Sequence, residues 1–544
     1  MADRKMNIAP ERSYFSVSHF SVSESFLALP SIIAAAMLLA AFNGGISIGA
    51  SNHAGLLPVV RRILDPNYLP GDFNIQLRLY HHRTFAYLLA GLSAVLGESR
   101  GVVVLHAAGA LLMAASLWFL CRTLRLSILG FFAATLFLAS GFLWTGYGLE
   151  ENSFIGIVEV QPPLFAHSFV LLTLALIIRE RWRWAAVCVG MAVFFHLQIG
   201  VIATLMVAPF YAAKLRSFGL REIIRLALCY LIPASFAVVH LFQMIGRGLL
   251  RPSSQLYSLP YYIDFRHPHH FELMSAAHGI WVAVHVVTST AIWWWLRRSG
   301  HEAARSVGVL ACACWMLIAL AIVHFTDYYL VQHDRIANLQ MIRLSPLITV
   351  LGSLSLILLV QIHAERSVMR WIASTVAAGL LLISMGYGLF QATRPDAPFL
   401  FGIRHYSEKG NNWVKMCNWI RENGPRDSVY LTPPAEVGFT VLTDRSNVVE
   451  FKINPDGALQ MAEWFERLRD LTGDNLPGER GLENRRPLNK AYGSLSAEQL
   501  VAVGRKYNAR YAIVPKDSNV NFEVLHEVGR LRLINLGAHA ARVR

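Results

Sequence analysis

Charge is scarce in this chain. Only 15% of its 544 residues are Asp, Glu, Lys or Arg, against about a quarter in a soluble globular domain. That shortage excludes an ordinary water-soluble fold for most of the residues. Acids are scarcer than bases: 35 Asp and Glu stand against 49 Lys and Arg, a net charge of +14. Cysteine is sparse as well. Five of the six, Cys121, Cys188, Cys229, Cys312 and Cys314, lie in or beside apolar runs, and Cys417 stands alone. Cysteine in such runs is usually a small buried hydrophobe. The spacing of the six offers neither paired zinc ligands nor a disulfide framework. No HExxH stretch occurs, which removes zinc-protease chemistry. No internal repeat stands out. No cleavable signal peptide is expected, because the first apolar run, starting near Phe26, is long and lacks a small-residue cleavage site.

What the chain has in abundance is apolar sequence: 54% of it is hydrophobic and the mean hydropathy is +0.41. Apolar runs of roughly 18 residues or more read as membrane helices. Residues 1–25 form a polar cytoplasmic tail with Arg4, Lys5 and Arg12, and residues 26–395 form the membrane domain. Its expected spans are Phe26–Gly45, Gly101–Cys121, Ile128–Trp144, Leu164–Ile178, Ile224–Ile245, Ala276–Leu296, Val307–His324, Leu344–Ile362 and Trp371–Gln391. Trp184–Ala213 supplies two more helices with a tight turn near His196, Gln198 and Gly200. The total is about eleven crossings, by the length rule. Thr84–Gly97 is apolar but too short to cross, and reads as an interfacial or re-entrant helix in a loop spanning 51–97.

A cytoplasmic N-terminus makes short, basic inner loops of those holding Arg122/Arg125, Arg179/Arg181/Arg183, Lys214/Arg216/Arg221, Arg297/Arg298/Arg305 and Arg366/Arg370. This is the positive-inside pattern. The outer loops also hold arginine, which that rule does not call for and which hints at anion binding. Residues 400–544 change character to balanced charge. Helices are expected at Asn412–Asn423, Leu459–Leu471 and from Ser496, where Gln499 completes a capping box. Strands are expected at Ser428–Leu431, Asn447–Phe451 and Tyr511–Val514, with a hairpin at Phe522–Leu536 turning near Gly529. Thr472–Ser494 reads as a long loop. The fold class is therefore an all-α polytopic membrane protein with a small C-terminal extracytoplasmic α/β domain.

Chemistry-bearing residues concentrate in the outer loops. Ser51–Arg83 carries Asp65, Asp72, Arg61, Arg62, Arg78, Arg83, His53, His81 and His82. Asp65 before Pro66 and Asp72 after Gly71 suit turn capping. Equally, either suits a general base or an oxygen ligand for a divalent metal. Glu150 and Glu151 form a second acidic site, or a solvated loop. The stretch Tyr261–His270 packs Arg266, His267, His269 and His270 together. Metal ligation, phosphate binding with Arg266 and an aromatic interfacial loop all fit it. Arg335 and Arg343 suit bidentate contact with phosphate, or snorkelling. His196, Gln198, His240, His285 and His324 lie at or near membrane depth, where polar groups usually face a bundle interior.

This layout resembles the GT-C superfamily of integral membrane glycosyltransferases, closest to a bacterial branch built the same way. The residues carrying the resemblance are NHAGLLPVVRRILDPNYLPGDF at Asn52–Phe73, FRHPHHF at Phe265–Phe271 and LTPPAEVGFTVLTDRSNVVEFK at Leu431–Lys452. Where that family usually has an acid close to the first span, this chain reads Ser51-Asn52-His53, with Asp65 and Asp72 further on. The resemblance implies transfer of a sugar from a polyprenyl-phosphate carrier to a glycan, lipid or protein acceptor, on the outer face of the bacterial inner membrane. It implies Asp65, Asp72 or Glu150 as the catalytic acid or base. His53, Arg61, Arg78, His82, Arg83, Arg266, His267, His269, His270, Arg335 and Arg343 would bind substrate. No certain cofactor follows, a divalent metal remaining an option, and nucleic acid is not an expected partner. Two other classes fit the architecture: a transporter or flippase of a lipid-linked or anionic solute, and a non-catalytic scaffold for envelope assembly. Acids within the spans, which proton coupling needs, are absent, and the break at His196–Gly200 has no matching second break.

Overall fold

The structure is a computed structural model, and it describes residues 22–42, 45–80, 82–140, 148–149, 159–246, 263–331, 339–364, 402–455 and 458–537. The expected last span at 371–391 and most of the N-terminal tail lie outside these residues.

Among the described residues, six helices are long and apolar enough to cross a membrane, and five shorter apolar helices accompany them. In chain order the bundle comprises α1 (Val22–Phe42), α2 (His53–Leu64), α3 (Phe73–Arg78), α4 (Arg83–Leu96), α5 (Glu98–Thr123), α6 (Ile128–Ser140) and α7 (Pro162–Ile178). It continues with α8 (Trp182–Phe195), α9 (Leu197–Lys214), α10 (Leu220–Gly246), α11 (Ala276–Arg298), α12 (Ala304–Phe325) and α13 (Pro346–Ala364). A backbone within hydrocarbon must satisfy its own hydrogen bonds, so long apolar runs become helices. Their outward faces stay apolar: on α10, Ile232, Phe236 and Phe242 are exposed, as lipid contact requires. Packing between helices relies on small residues and close approach. A Cβ added to Gly190 on α8 would lie 2.4 Å from the Tyr230 carbonyl oxygen on α10, so only glycine permits that contact.

Three local features follow the sequence. The Trp184–Ala213 run divides at a single residue, His196, whose Nδ1 accepts from the Ile199 amide. α4 is 14 residues long, too short to span. It buries Phe85, Ala86 and Leu89 against the bundle while Val95 is exposed. α12 continues as a π-helical turn over Thr326–Val331.

The C-terminal domain is a mixed five-stranded sheet flanked by helices. The strands are β3 (Val429–Leu431), β4 (Ser446–Asn447), β5 (Ala509–Pro515), β6 (Glu523–Val528) and β7 (Leu531–Asn535), in spatial order β4-β3-β5-β7-β6. β4 and β5 run parallel to β3, and β7 is antiparallel to both β5 and β6. The expected hairpin and capping box are present, the turn containing Gly529 at φ +56°. Two expectations are corrected. The strand at Asn447–Phe451 ends at Asn447, because the Phe451 amide turns to the Pro434 carbonyl and Glu450 turns inward to the Gly438 and Phe439 amides. The loop Thr472–Ser494 contains a helix, Arg485–Gly493, in which Leu488 and Tyr492, four residues apart on one face, are buried.

The domain and the bundle are joined. β1 (Ile46–Ile48), just after α1, pairs in parallel with β2 (Ile403–His405). The domain core around Trp464, Leu468, Tyr492 and Ile534 includes Phe73 and Leu77 of α3 and Phe265. The first loop and the segment at 265 therefore complete the hydrophobic core of a domain far away in sequence.

Candidate functional site

Four stretches meet where the bundle faces the C-terminal domain. α3 carries Arg78. The segment after Ile263 carries Arg266 and the three histidines. The turn Gln340–Leu344 carries Arg343, beside the His196 break between α8 and α9. The chain just past β4 carries Lys452 and Asn454.

The histidine turn is held from several sides. The His270 amide donates to the His267 carbonyl at 3.0 Å, and Pro268–His270 forms one turn of 3₁₀ helix. Residues three apart eclipse in that geometry, which stacks the His267 and His270 rings at 5.3 Å between centroids. The His269 ring lies 4.2 Å from that of His270. Arg480 of the C-terminal domain forms ion pairs with both Asp264 and Glu272, one on each side of the turn. Asn484 Nδ2 donates to the Phe265 carbonyl at 2.9 Å. Gly481 closes directly over Pro268: its φ is +57° and an added Cβ would meet the proline ring at 2.8 Å.

Around this turn the electrostatics are those of crowded cations. Burial, then the nearby Arg266 guanidinium, lowers the Lys452 ammonium to about 8. Glu159 opposes that shift, while Arg78 and Arg485 add to it. His267 and His270 are held well below the usual histidine range, first by burial; Arg266 then acts on His267, and Arg343 and Arg266 on His270. The three arginines are each steadied by neutral oxygens. Arg78 donates to Asn454 Oδ1 at 3.1 Å. Arg266 donates to the Phe451 and Lys452 carbonyls and lies over the Phe451 ring. Arg343 donates to Gln198 Oε1 at 2.7 Å and Gln340 Oε1 at 2.6 Å. The carboxylate acting on Lys452 is Glu159, which accepts from the Asn52 amide and Gln161 Nε2 and whose own value is raised by burial.

Of the residues singled out from sequence, Arg78, Arg266, His267, His269, His270 and Arg343 come together here. Gln198 joins them through Arg343, whereas Asp65, Asp72, His53, Arg61 and Arg83 have other partners. Asp65 is exposed and caps its own turn, accepting from the Asn67 amide at 2.9 Å. Asp72 is buried and caps α3, accepting from the Ile75 amide at 2.8 Å. His53 is fully buried, with its two ring nitrogens facing the Gly49 amide and the Val160 carbonyl. Arg61 is a brace, paired with Glu98 and with Asp444 at 2.7 Å each. Arg83 lies over Tyr80 and Tyr87. The His82 ring is 4.7 Å from that of His196. Glu150 and Arg335 lie outside the described residues.

Sequence reasoning missed Lys452, Asn454 and Glu159 as members of one site. Lys452 and Asn454 alternate with Phe451 and Ile453 just after Glu450, a pattern that equally fits a half-buried strand, and so a weak signal. Glu159 stands just before Pro162-Pro163, where the chain re-enters the bundle, which is the one cue that its position is constrained.

Fold and site together define a polytopic membrane protein whose C-terminal α/β domain packs against a cluster of cations and histidines at the bundle's edge. Residues 411–471, which include Glu450, Lys452 and Asn454, match a family model described as a domain of unknown function, DUF6798. No curated protein matches the chain. Among solved structures, the chain is similar to ArnT from Cupriavidus metallidurans in the apo state, with 11% identity and a TM-score of 0.47 over 95% of this chain and 99% of that one.

Proposed function

We propose that this protein is a membrane glycosyltransferase that moves a sugar from a polyprenyl-phosphate carrier to an envelope acceptor at the outer face of the inner membrane. The observation that supports this reading is the cluster of cations. Arg78, Arg266, Arg343 and Lys452 converge beside three histidines, with Glu159 as the carboxylate acting on Lys452. Crowding like charges in a buried site is costly unless an anion joins them, and arginine is suited to a phosphate. The cluster lies beside α9, whose Gln198 holds Arg343, so a polyprenyl tail has an apolar helix to follow, and the adjoining C-terminal domain is suited to holding the acceptor.

In this reading an acceptor hydroxyl oxygen attacks the sugar anomeric carbon. The bond from that carbon to the phosphate oxygen breaks, and polyprenyl phosphate departs with the electron pair. The cations stabilise the charge that the departing phosphate gains. The acceptor proton passes to a carboxylate. Glu159 is our choice for that base, since burial raises its proton affinity toward the working range of a general base. Asp65 and Asp72 carry turn and cap duties instead.

The test uses purified full-length protein with a radiolabelled polyprenyl-phosphate sugar. Binding is expected, followed by release of free polyprenyl phosphate when acceptor-containing membranes are added. Arg78→Ala and Lys452→Ala should weaken donor binding, whereas Glu159→Gln should bind donor and fail to turn over. Absence of donor binding by the unmodified protein would end the proposal.

A further inference from the structure

We infer that His267, His269 and His270 form a binding site for a divalent transition metal, with a fourth position open to a phosphate oxygen. One ligand nitrogen from each of the three lies within 4.8 Å of the others. Nitrogens of a tetrahedral site with metal–nitrogen bonds of about 2.05 Å are roughly 3.3 Å apart. Small side-chain rotations therefore close the site, and the backbone is already in place. Pro268 and the 3₁₀ turn fix the spacing, while Gly481, whose backbone a Cβ would drive into Pro268, and the two-sided ion pairs of Arg480 hold the turn against the C-terminal domain.

Ligand chemistry selects the metal. Three imidazoles suit zinc, cobalt, nickel or copper rather than magnesium or calcium, which take oxygen ligands. The supporting shell is also present. Asn454 lies beside the His267 ring and accepts from Arg78 at 3.1 Å, so it is placed to orient one imidazole, as the partners of metal-bound histidines do. The guanidinium of Arg266 donates to the Phe451 and Lys452 carbonyls. The surrounding positive charge of Arg343 and Lys452 opposes a bare cation, so an anionic fourth ligand is favoured over water. The phosphate part of this inference rests on the proposed function; the metal part does not.

The test uses full-length protein in detergent, with any affinity tag removed, stripped of metal and titrated with Co²⁺ alone. One equivalent should bind, with the visible absorption of a four-coordinate site holding three nitrogen ligands. His269→Ala and His270→Ala should each weaken binding on the order of 10-fold or more, and Asn454→Ala about 10-fold, as supporting residues do. His363→Ala, on α13, should change nothing. His269→Gln, smaller in its disturbance of the turn, serves if the alanine variants do not fold and should show the same loss. Inorganic phosphate added to the cobalt form should shift the spectrum. No stoichiometric Co²⁺ binding, or binding that survives the histidine changes, would overturn the site. An unchanged spectrum with phosphate would remove only the fourth-ligand assignment, and neither result decides whether the protein transfers sugar.

Discussion

Asn74 and Asn447, 373 residues apart in the chain, share a buried hydrogen bond of 2.7 Å from Asn74 Nδ2 to Asn447 Oδ1. Asn74 Oδ1 also accepts from the Glu450 amide at 3.0 Å, and Asn447 Nδ2 donates to Thr432 Oγ1. One amide thus ties α3 to the edge of the C-terminal sheet. Asn74→Ala strands the buried Glu450 amide and leaves Asn447 Oδ1 with only the 3.4 Å contact from Thr440 Oγ1. Leaving such a group unsatisfied costs about 1–3 kcal/mol, so a loss of that size is expected, read as a lowered melting temperature in detergent. A melting temperature equal to that of the unmodified protein would show that the two asparagines do not hold the domains together.

The neighbouring carboxyls make stability depend on pH. Burial pushes Glu450 up to about 7, with Asp72 adding to the rise. Burial also pushes Asp72 up to about 6. Both folded values exceed the ordinary carboxylate values of about 4, so the folded protein holds protons that the unfolded chain has already released. The resulting stability is present below about pH 4 and is lost as pH rises through 6 and 7. Melting temperature should therefore fall between pH 5 and pH 7.5, and Glu450→Gln should flatten that slope. A slope of the opposite sign that Glu450→Gln leaves untouched would count against this assignment.

Lys452 predicts a different pH dependence, in binding rather than stability. With its ammonium lowered to about 8 by burial and by Arg266, it is protonated below that value and charged for anion contact. Affinity for inorganic phosphate should be full near pH 7 and decline as pH rises through 8 to 9. Lys452→Gln should bind phosphate more weakly, about 10-fold for a lost charged hydrogen bond of roughly 1.5 kcal/mol, and should lose that part of the pH profile. Calorimetric titration at three pH values checks both.

Phe73 and Leu77 are 6% and 2% exposed, and their neighbours are Trp464, Leu468 and other residues of the C-terminal domain. Phe73→Ala should cost about 3 kcal/mol or more, the usual range for a buried phenylalanine. Residues 402–537 expressed alone lack Phe73, Leu77 and Phe265, and should expose the face those residues cover. Strong binding of a hydrophobic dye and poor recovery are expected, relieved when a peptide of residues 66–80 is fused ahead of the segment.

Gly481→Ala should loosen the histidine turn. The position has φ +57° and lies against Pro268, so a Cβ is strained by both backbone and contact, on the order of 1–3 kcal/mol. Limited proteolysis should cut faster between residues 263 and 275 in this variant than in the unmodified protein.

The local pattern of the sequence determined a great deal. Long apolar runs have one solution in hydrocarbon, the helix, so α5, α10, α11, α12 and α13 were legible to within a few residues. The break at His196, the capping box at Ser496 and the hairpin around Gly529 were legible for the same reason, since each depends on residues within one turn of one another. The cationic cluster was half legible: Arg266, the three histidines and Arg343 stood out by type and density. The tertiary structure alone decided which charges share a space. Asp65, Asp72, His53 and Arg61 looked equivalent to Arg78 in sequence, yet each is committed to a turn, a cap, a backbone carbonyl or an ion pair. Lys452 and Asn454 reach the site only because the C-terminal domain folds back over the first loop. Burial and long-range contact assign those roles, and neither is written in the spacing of neighbouring residues.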